Sequence, residues 1–466
     1  MEDSRTQVPG PPPTPWLGSH GNLITFLRDP VGYLRRLRRE YGEIAAVVKG
    51  TRGMIFAFGP QFNQQILSNP AVFHCTSLMM PGPKDSAQRR LTDAVFSMNN
   101  EVALSRRRIL TPPLHRRSIF EYRDAMVELT EATLAGWSGG QTLDMAEEFR
   151  RLTLHISARV LFGLDDWTRP GKVADMIDAW MKRSTSAPVR LFRRDWPGTP
   201  YRRMLRFAGA LEREILGMVD HRRSRQNGGS DLLSILLQAH DETSDVSASE
   251  LVGQTNLLLL ASYETTTTAL TWTLFLLAQH PEIAKGVVDE LAGVLKGDAP
   301  SGDQLSRLVL LDAALKESLR ILPPVVYNTR TSVQPGEIGQ YRFGPRTTIG
   351  FSHYITHHMA EIFPEPEKFN PARWSSHDPS PYEYLPFGAG SRTCIGAAFA
   401  LMSTKVVLAM LLQHFRFSVV PNSTIDRKGL ITLAPKYGMP MRLSAPDHGF
   451  ARVPVRGVIH EMVDLS

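Results

Sequence analysis

Apolar positions recur every three to four residues along most of the chain, and the longest such run lies just past its middle. Ser247 is followed three residues later by Glu250, a pairing that marks a helix start, and the pattern continues to His280, where Pro281 stops it. A helix of that span is about 50 Å long at roughly 1.5 Å per residue, enough to cross a domain. It is apolar nearly all round at residues 257–261, so its middle is expected to be buried. From 24 to about 220 the pattern is mainly helical, with a small hairpin at 44–58, where alternating apolar residues flank Gly50 and Gly53. Loops at 226–230 and 241–247 bracket a short helix. A second helix at 310–321 is closed by Pro323 and Pro324, residues 328–354 read as short strands and turns, and 364–380 as an irregular proline-rich loop. Residues 395–414 form another buried helix.

Residues 1–20 are rich in proline and glycine and read as an extended lead-in. Neither an internal repeat nor a dividing linker is visible. The economical reading is mainly α: one helix-rich domain over 21–445 with small β-sheets, followed by a tail, 446–466, to which the sequence assigns no role.

Composition narrows the classes. Of 466 residues, 42% are hydrophobic and 21% charged, an ordinary globular balance. The most apolar stretches, 251–278 and 395–415, are broken by Gln254, Asn256 and Glu264 and by Ser403, Lys405 and Gln413, so both are expected as buried helices and not as membrane spans. Residues 1–15 lack the basic start and apolar run of a secretory signal. The net charge of +7 comes from scattered arginine clusters, among them Arg106 to Arg108 with Arg116 and Arg117. They lie in separate segments without interleaved aromatics, which argues against nucleic acid and for an acidic protein partner. Two cysteines, Cys75 and Cys394, give no disulfide framework and fit a reducing compartment.

Three constellations carry chemistry. Pro386-Phe387-Gly388-Ala389-Gly390-Ser391-Arg392-Thr393-Cys394-Ile395-Gly396 is a glycine-rich loop that delivers one cysteine to a helix start, where backbone N–H groups favour a thiolate. Glu317 and Arg320 share one helix face just before Pro323. Thr265 to Thr268 are four consecutive poor helix formers in the middle of the long helix, a broken local rule of the kind that marks function.

The first of these resembles the haem-binding loop of cytochromes P-450, whose fixed positions are matched by Phe387, Gly390, Arg392, Cys394 and Gly396. The resemblance implies the triangular helical fold of that family and a haem b cofactor. In that family the cysteine ligates iron, the aromatic packs beside it and the arginine pairs with a propionate, roles that fall to Cys394, Phe387 and Arg392. Glu317-x-x-Arg320 is similar to the family's Glu-x-x-Arg pair, and Pro366, Phe369, Pro371 and Arg373 match the loop whose arginine joins it. Glu317, Arg320 and Arg373 are expected to brace the haem loop. Ala261-Ser262-Tyr263-Glu264-Thr265 resembles the oxygen-binding signature, with Ala261 against the haem and Glu264 and Thr265 relaying protons. Ser262 stands where glycine is usual. Arg107 and Arg330 resemble further propionate contacts, although Ala103 replaces the usual partner of the former. His357 reads as a structural donor and Cys75 as an inert buried thiol.

The implied activity is insertion of one oxygen atom from O2 into an apolar small molecule, with electrons from a separate ferredoxin or flavodoxin and its reductase. The docking footprint is expected at Arg106 to Arg108, His115, Arg116 and Arg117. A cytoplasmic monomer without a membrane span follows from the same reading. A peroxide-driven or rearranging haem-thiolate enzyme is the alternative that Glu264 and Thr265 argue against, and a non-catalytic haem-binding partner is the one that Cys394 argues against. The substrate pocket is expected in loops 73–100, 184–199, 325–328 and 430–433, with Met79, Met80, Val325, Val326, Ile431 and Leu433 as walls. Terpenoids, steroids, fatty acids, macrolides and aromatic compounds all fit such a pocket.

Overall fold

In a computed structural model the long helix spans Ala248–Gln279. The structure describes residues 7–49, 53–77, 79–166, 168–225, 229, 231–428 and 432–465, without the side chains of Arg116, Arg117, Ala187 and Leu191. The helix begins as its sequence dictates: the Ser247 hydroxyl accepts the Glu250 N–H at 3.1 Å, and the Glu250 carboxylate accepts the Ser247 N–H at 2.8 Å. Pro281 opens the next helix, Pro281–Leu295, where its missing N–H costs nothing. Around the long helix pack Met145–Phe162, Val309–Ile321, Leu232–Asp241 and Ala397–His414. Ala397–His414 is long and apolar enough to cross a membrane by length and composition, and Val406 to Leu412 are buried in the core.

The main sheet has five strands in the order Ile44–Ala46, Met54–Ala57, Thr348–Phe351, Asn328–Ser332, Phe73–His74. Met54–Ala57 runs parallel to Thr348–Phe351, and the other neighbours are antiparallel. The expected hairpin is the first pair; its tip with Gly50 lies outside the described residues, as do 226–228 and 230 of the expected loop. The lead-in is tied to this sheet, because the carbonyls of Pro9 and Pro11 accept the N–H groups of Ala46 and Lys49. A three-stranded sheet joins Thr142–Asp144, Pro440–Ser444 and Arg416–Val419.

The tail returns to the body of the protein. Val455, Ile459, Met462, Val463 and Leu465 are buried in the main core. The Asp464 N–H donates to the Glu367 carbonyl at 2.8 Å, and Arg427 pairs with both Asp29 and Glu461.

Candidate active site

Cys394 is set by the loop before it. Its N–H donates to the Phe387 carbonyl at 2.8 Å, and the Thr393 N–H donates to the Gly390 carbonyl at 3.1 Å. Gly390 has φ +70°, and a side chain there would meet the Leu67 carbonyl at 2.5 Å, so both the turn and the close approach require glycine. Gly396 caps the helix Ala397–His414. The accessible face of Cys394 lines a cavity while protein surrounds the rest, and this burial pushes the thiol up; the Gly396 N–H and the Arg107 charge act in the opposite sense.

Beneath the loop lies a buried ion network. The Glu317 carboxylate accepts Arg320 Nε and Nη2 at 3.0 and 2.9 Å, Arg373 Nε at 2.9 Å, the Asn370 N–H at 3.1 Å and Trp374 Nε1 at 3.0 Å. Glu317 and Arg320 are fully buried. Arg320 also donates to the carbonyls of His357, Pro366 and Lys368, so every arm of the guanidinium is used. His357 carries this network to the cysteine loop: its Nδ1–H donates to the Arg320 carbonyl at 3.1 Å, and its Nε2 accepts the Leu385 N–H at 3.0 Å. The Leu385 carbonyl accepts His353 Nδ1 at 2.6 Å and the Gly388 N–H at 3.0 Å. Two buried histidines thus hold the peptide groups from which the cysteine loop departs. Burial keeps both rings neutral, with His353 lowered to about 4. Neither His353 nor Trp374 was signalled by a motif, although Trp374 directly follows Arg373.

Across the cavity stands the long helix, with Ala261, Ser262, Thr265 and Thr266 in the wall. Each hydroxyl bonds to the preceding turn: Thr265 to the Ala261 carbonyl at 3.2 Å, Thr266 to Ser262 at 3.2 Å and Ser262 to Leu259 at 2.8 Å. Glu264 points away from the cavity, and its Oε1 accepts the Thr432 hydroxyl at 2.7 Å. Burial raises this carboxyl, the Thr432 bond lowers it, and the Asp178 charge raises it further.

The cavity of about 310 Å³ gathers Arg107, Arg330 and Arg392. Arg107 donates to the Thr393 carbonyl at 2.7 Å, Arg330 to that of Thr329 at 2.9 Å, and Arg392 to the Val95 carbonyl at 3.1 Å and Asn99 Oδ1 at 3.2 Å. None of the three pairs with a carboxylate among the described residues. Burial and the mutual repulsion with Arg392 lower both Arg107 and Arg330. Three like charges around an apolar space lack their counter-ions, and a flat group with two carboxylates, on a site that also offers a cysteine sulfur, fits that requirement. Haem is such a group.

Other expectations are corrected. Arg106 does not face outward: it makes a bidentate pair with Glu250 at 2.9 and 3.1 Å, while Arg108 and His115 are exposed. Of the six apolar wall residues expected, Val325 lines the cavity. Met79, Val326 and Leu433 are in the core, Met80 packs against Val189, Tyr201 and Met204, and Ile431 lies outside the described residues. Val95, Phe96 and Asn328 also line the cavity, from the expected loops 73–100 and 325–328, together with Leu257 and Leu258 of the long helix, and Cys75 borders it.

A fold of this kind, with Cys394 facing a threonine-bearing helix across a cavity ringed by three arginines, fits a haem protein. The cytochrome P-450 family profile matches residues 8–440, and the chain belongs to that family. It is 31% identical over 433 residues to cyclooctat-9-en-7-ol 5-monooxygenase of Streptomyces melanosporofaciens, covering 89% of this chain and 93% of that one. Pentalenene oxygenase of Streptomyces avermitilis is 27% identical, covering 92% and 96%. The retinoic acid bound cyanobacterial CYP120A1 structure superposes with TM-score 0.82 at 26% identity, covering 95% of this chain and all of that one. The protein is therefore a haem-dependent monooxygenase that uses O2, a substrate and a source of electrons.

Proposed function

We propose that Cys394, as a thiolate, is the protein ligand to the iron of haem b, and that the enzyme hydroxylates an apolar cyclic substrate of the terpenoid class. The observation that carries this reading is the meeting, around one cavity, of Cys394, three guanidinium groups without carboxylate partners and the hydroxyl-bearing wall at Thr265. Bound haem supplies the oxygen activation and electron transfer that no side chain offers. Arg107, Arg330 and Arg392 neutralise its two propionates. Phe387 packs beside the sulfur, and the Gly396 N–H softens the sulfur's charge. Ala261, with only a methyl group toward the cavity, would leave room for the haem. Thr265 would hold a proton at the cavity by turning its hydroxyl from the Ala261 carbonyl, and Glu264, whose proton affinity burial raises, would resupply it by leaving its bond to Thr432 and swinging toward the cavity.

The terpenoid assignment rests on the wall of Val95, Phe96, Leu257 and Leu258 and on relatives named for cyclooctat-9-en-7-ol and pentalenene. We assign electron supply to a separate acidic ferredoxin or flavodoxin with its reductase, docking over the cysteine side where Arg108 and His115 are exposed. We place the enzyme in the cytoplasm as a monomer; its two unpaired cysteines support the reducing compartment. The test is spectroscopic. Cys394→Ser should abolish the strongly red-shifted carbon monoxide band of the reduced protein and Cys75→Ser should retain it; a Cys394→Ser protein that kept the band would overturn the assignment.

A further inference from the structure

We infer that Asn328, held by His353, presents a fixed hydrogen-bond acceptor to the cavity and selects apolar substrates that carry a hydroxyl over the bare hydrocarbon or the ketone. The inference rests on the terpenoid reading above and narrows it.

The argument runs through one imidazole. His353 Nδ1 lies 2.6 Å from the Leu385 carbonyl, an oxygen that can only accept, so Nδ1 carries the proton. The ring is buried, and burial keeps it neutral. Nε2 is therefore bare and must accept. It lies 3.0 Å from the side-chain nitrogen of Asn328. Turning that amide over would set two acceptors against each other, so its orientation is fixed from behind. The Asn328 backbone is fixed as well, paired with Phe351 in the main sheet.

Asn328 is half-buried and lines the cavity, and its Oδ1 has no partner among the described residues. The wall hydroxyls of Ser262, Thr265 and Thr266 already donate to their own helix. Arg107, Arg330 and Arg392 are donors only, and the propionates we assign to them would occupy them. The wall hydroxyl oxygens can still accept, but each hydroxyl can also rotate to donate, so they do not tell an alcohol from a ketone; Asn328 Oδ1, held from behind, can only accept. A substrate hydroxyl satisfies it, a hydrocarbon strands it and a ketone opposes it. Asn328 would be a specificity-determining residue, and His353 a positioning residue that acts through it.

The experiment uses haem-loaded full-length enzyme and the Soret shift on ligand binding. Three matched sets are titrated: menthol, menthone and p-menthane; androstanol, androstanone and androstane; dodecanol, a dodecanone and dodecane. In the wild type the alcohol should bind about tenfold more tightly than its hydrocarbon and its ketone. Asn328→Leu should abolish that preference by weakening the alcohol alone. His353→Leu also releases the Leu385 carbonyl beside the cysteine loop, so it is compared at equal haem content; there it frees the amide to turn, and ketone binding should strengthen as the alcohol preference falls, a change that loss of haem or of packing does not produce. Alcohol preference in the androstane or dodecane set with silence from the menthane set would remove the terpenoid reading and leave the Asn328 assignment standing. An unchanged alcohol preference in Asn328→Leu, or none in the wild type, would overturn the Asn328 assignment. Silence from all three sets would overturn both.

Discussion

On the cysteine side of the cavity Glu317 accepts five hydrogen bonds and Arg320 reaches three carbonyls besides, whereas on the long-helix side Glu264 accepts one bond, from Thr432. Glu317 is fully buried and Glu264 is half-buried. The first is satisfied in every direction and so holds a loop in one shape; the second retains capacity for a further partner and a raised proton affinity, which is what a group that must gain and lose a proton requires. The same residue type therefore serves rigidity in one region and, in the role proposed for Glu264, proton transfer in the other, and the number of fixed donors around it separates the two.

The contrast can be broken most severely at Glu317. Glu317→Ala strands Arg320 and Arg373, a loss of about 3 to 5 kcal/mol, and should yield misfolded or haem-free protein; thermal unfolding together with the haem absorbance reports it, and a folded, haem-replete variant would refute the bracing role. Thr265→Ala should leave folding and haem content intact but lower productive turnover on the order of 10²-fold, with hydrogen peroxide rising as product per electron falls. Peroxide-supported turnover should suffer much less. Because Ser262 keeps a hydroxyl nearby, the pair Ser262→Gly with Thr265→Ala is the stricter form, and unchanged coupling in both would dismiss the proton role.

Trp374→Phe removes a single donor from Glu317 and should cost about 2 kcal/mol with haem still bound, readable as a shift in the denaturation midpoint. The smallest effects lie in pH dependence, and the two regions have opposite signs. Glu264 is raised, so its contribution to stability is complete below its ordinary value of 4.5 and is lost as pH rises through the folded value. His353 is lowered from 6.5 to about 4, so its contribution is complete above 6.5 and is lost as pH falls toward 4. Melting curves between about pH 4 and about pH 8 should show Glu264→Gln flattening the alkaline limb and His353→Leu the acid limb. A Glu264→Gln protein with the wild-type alkaline slope would contradict the first assignment.

What was legible in the sequence follows the same division. The Cys394 loop and the Glu317, Arg320 and Arg373 set stand at fixed spacings, because a satisfied network admits few arrangements, and spacing is what a sequence displays. The helix of 247–280 was readable from its cap and its period. Two of the four expected pocket loops, 73–100 and 325–328, do line the cavity, but most of the individual wall residues were not legible, since the side of a loop that faces a cavity depends on the path of the chain and not on its local period. Arg106 and Arg107 make the point within one turn: adjacent in sequence and about 100° apart around a helix, one is taken by Glu250 and the other reaches the Thr393 carbonyl. His353 and Asn328 belong to no motif, and their pairing exists only because the main sheet sets their segments side by side.

The docked tail bears on how this protein is handled at the bench. Family matching ends at residue 440, and a truncation chosen from that boundary would look conservative. It would remove residues 441–444 of the middle strand of a three-stranded sheet, the five buried apolar residues of the tail from the core and the amide that caps the Glu367 carbonyl. Glu367 lies between Pro366 and Lys368, whose carbonyls receive Arg320, so the cut would loosen the loop that Glu317 anchors from its outer side. A shortened chain should for that reason be judged by its haem content before its catalytic rate.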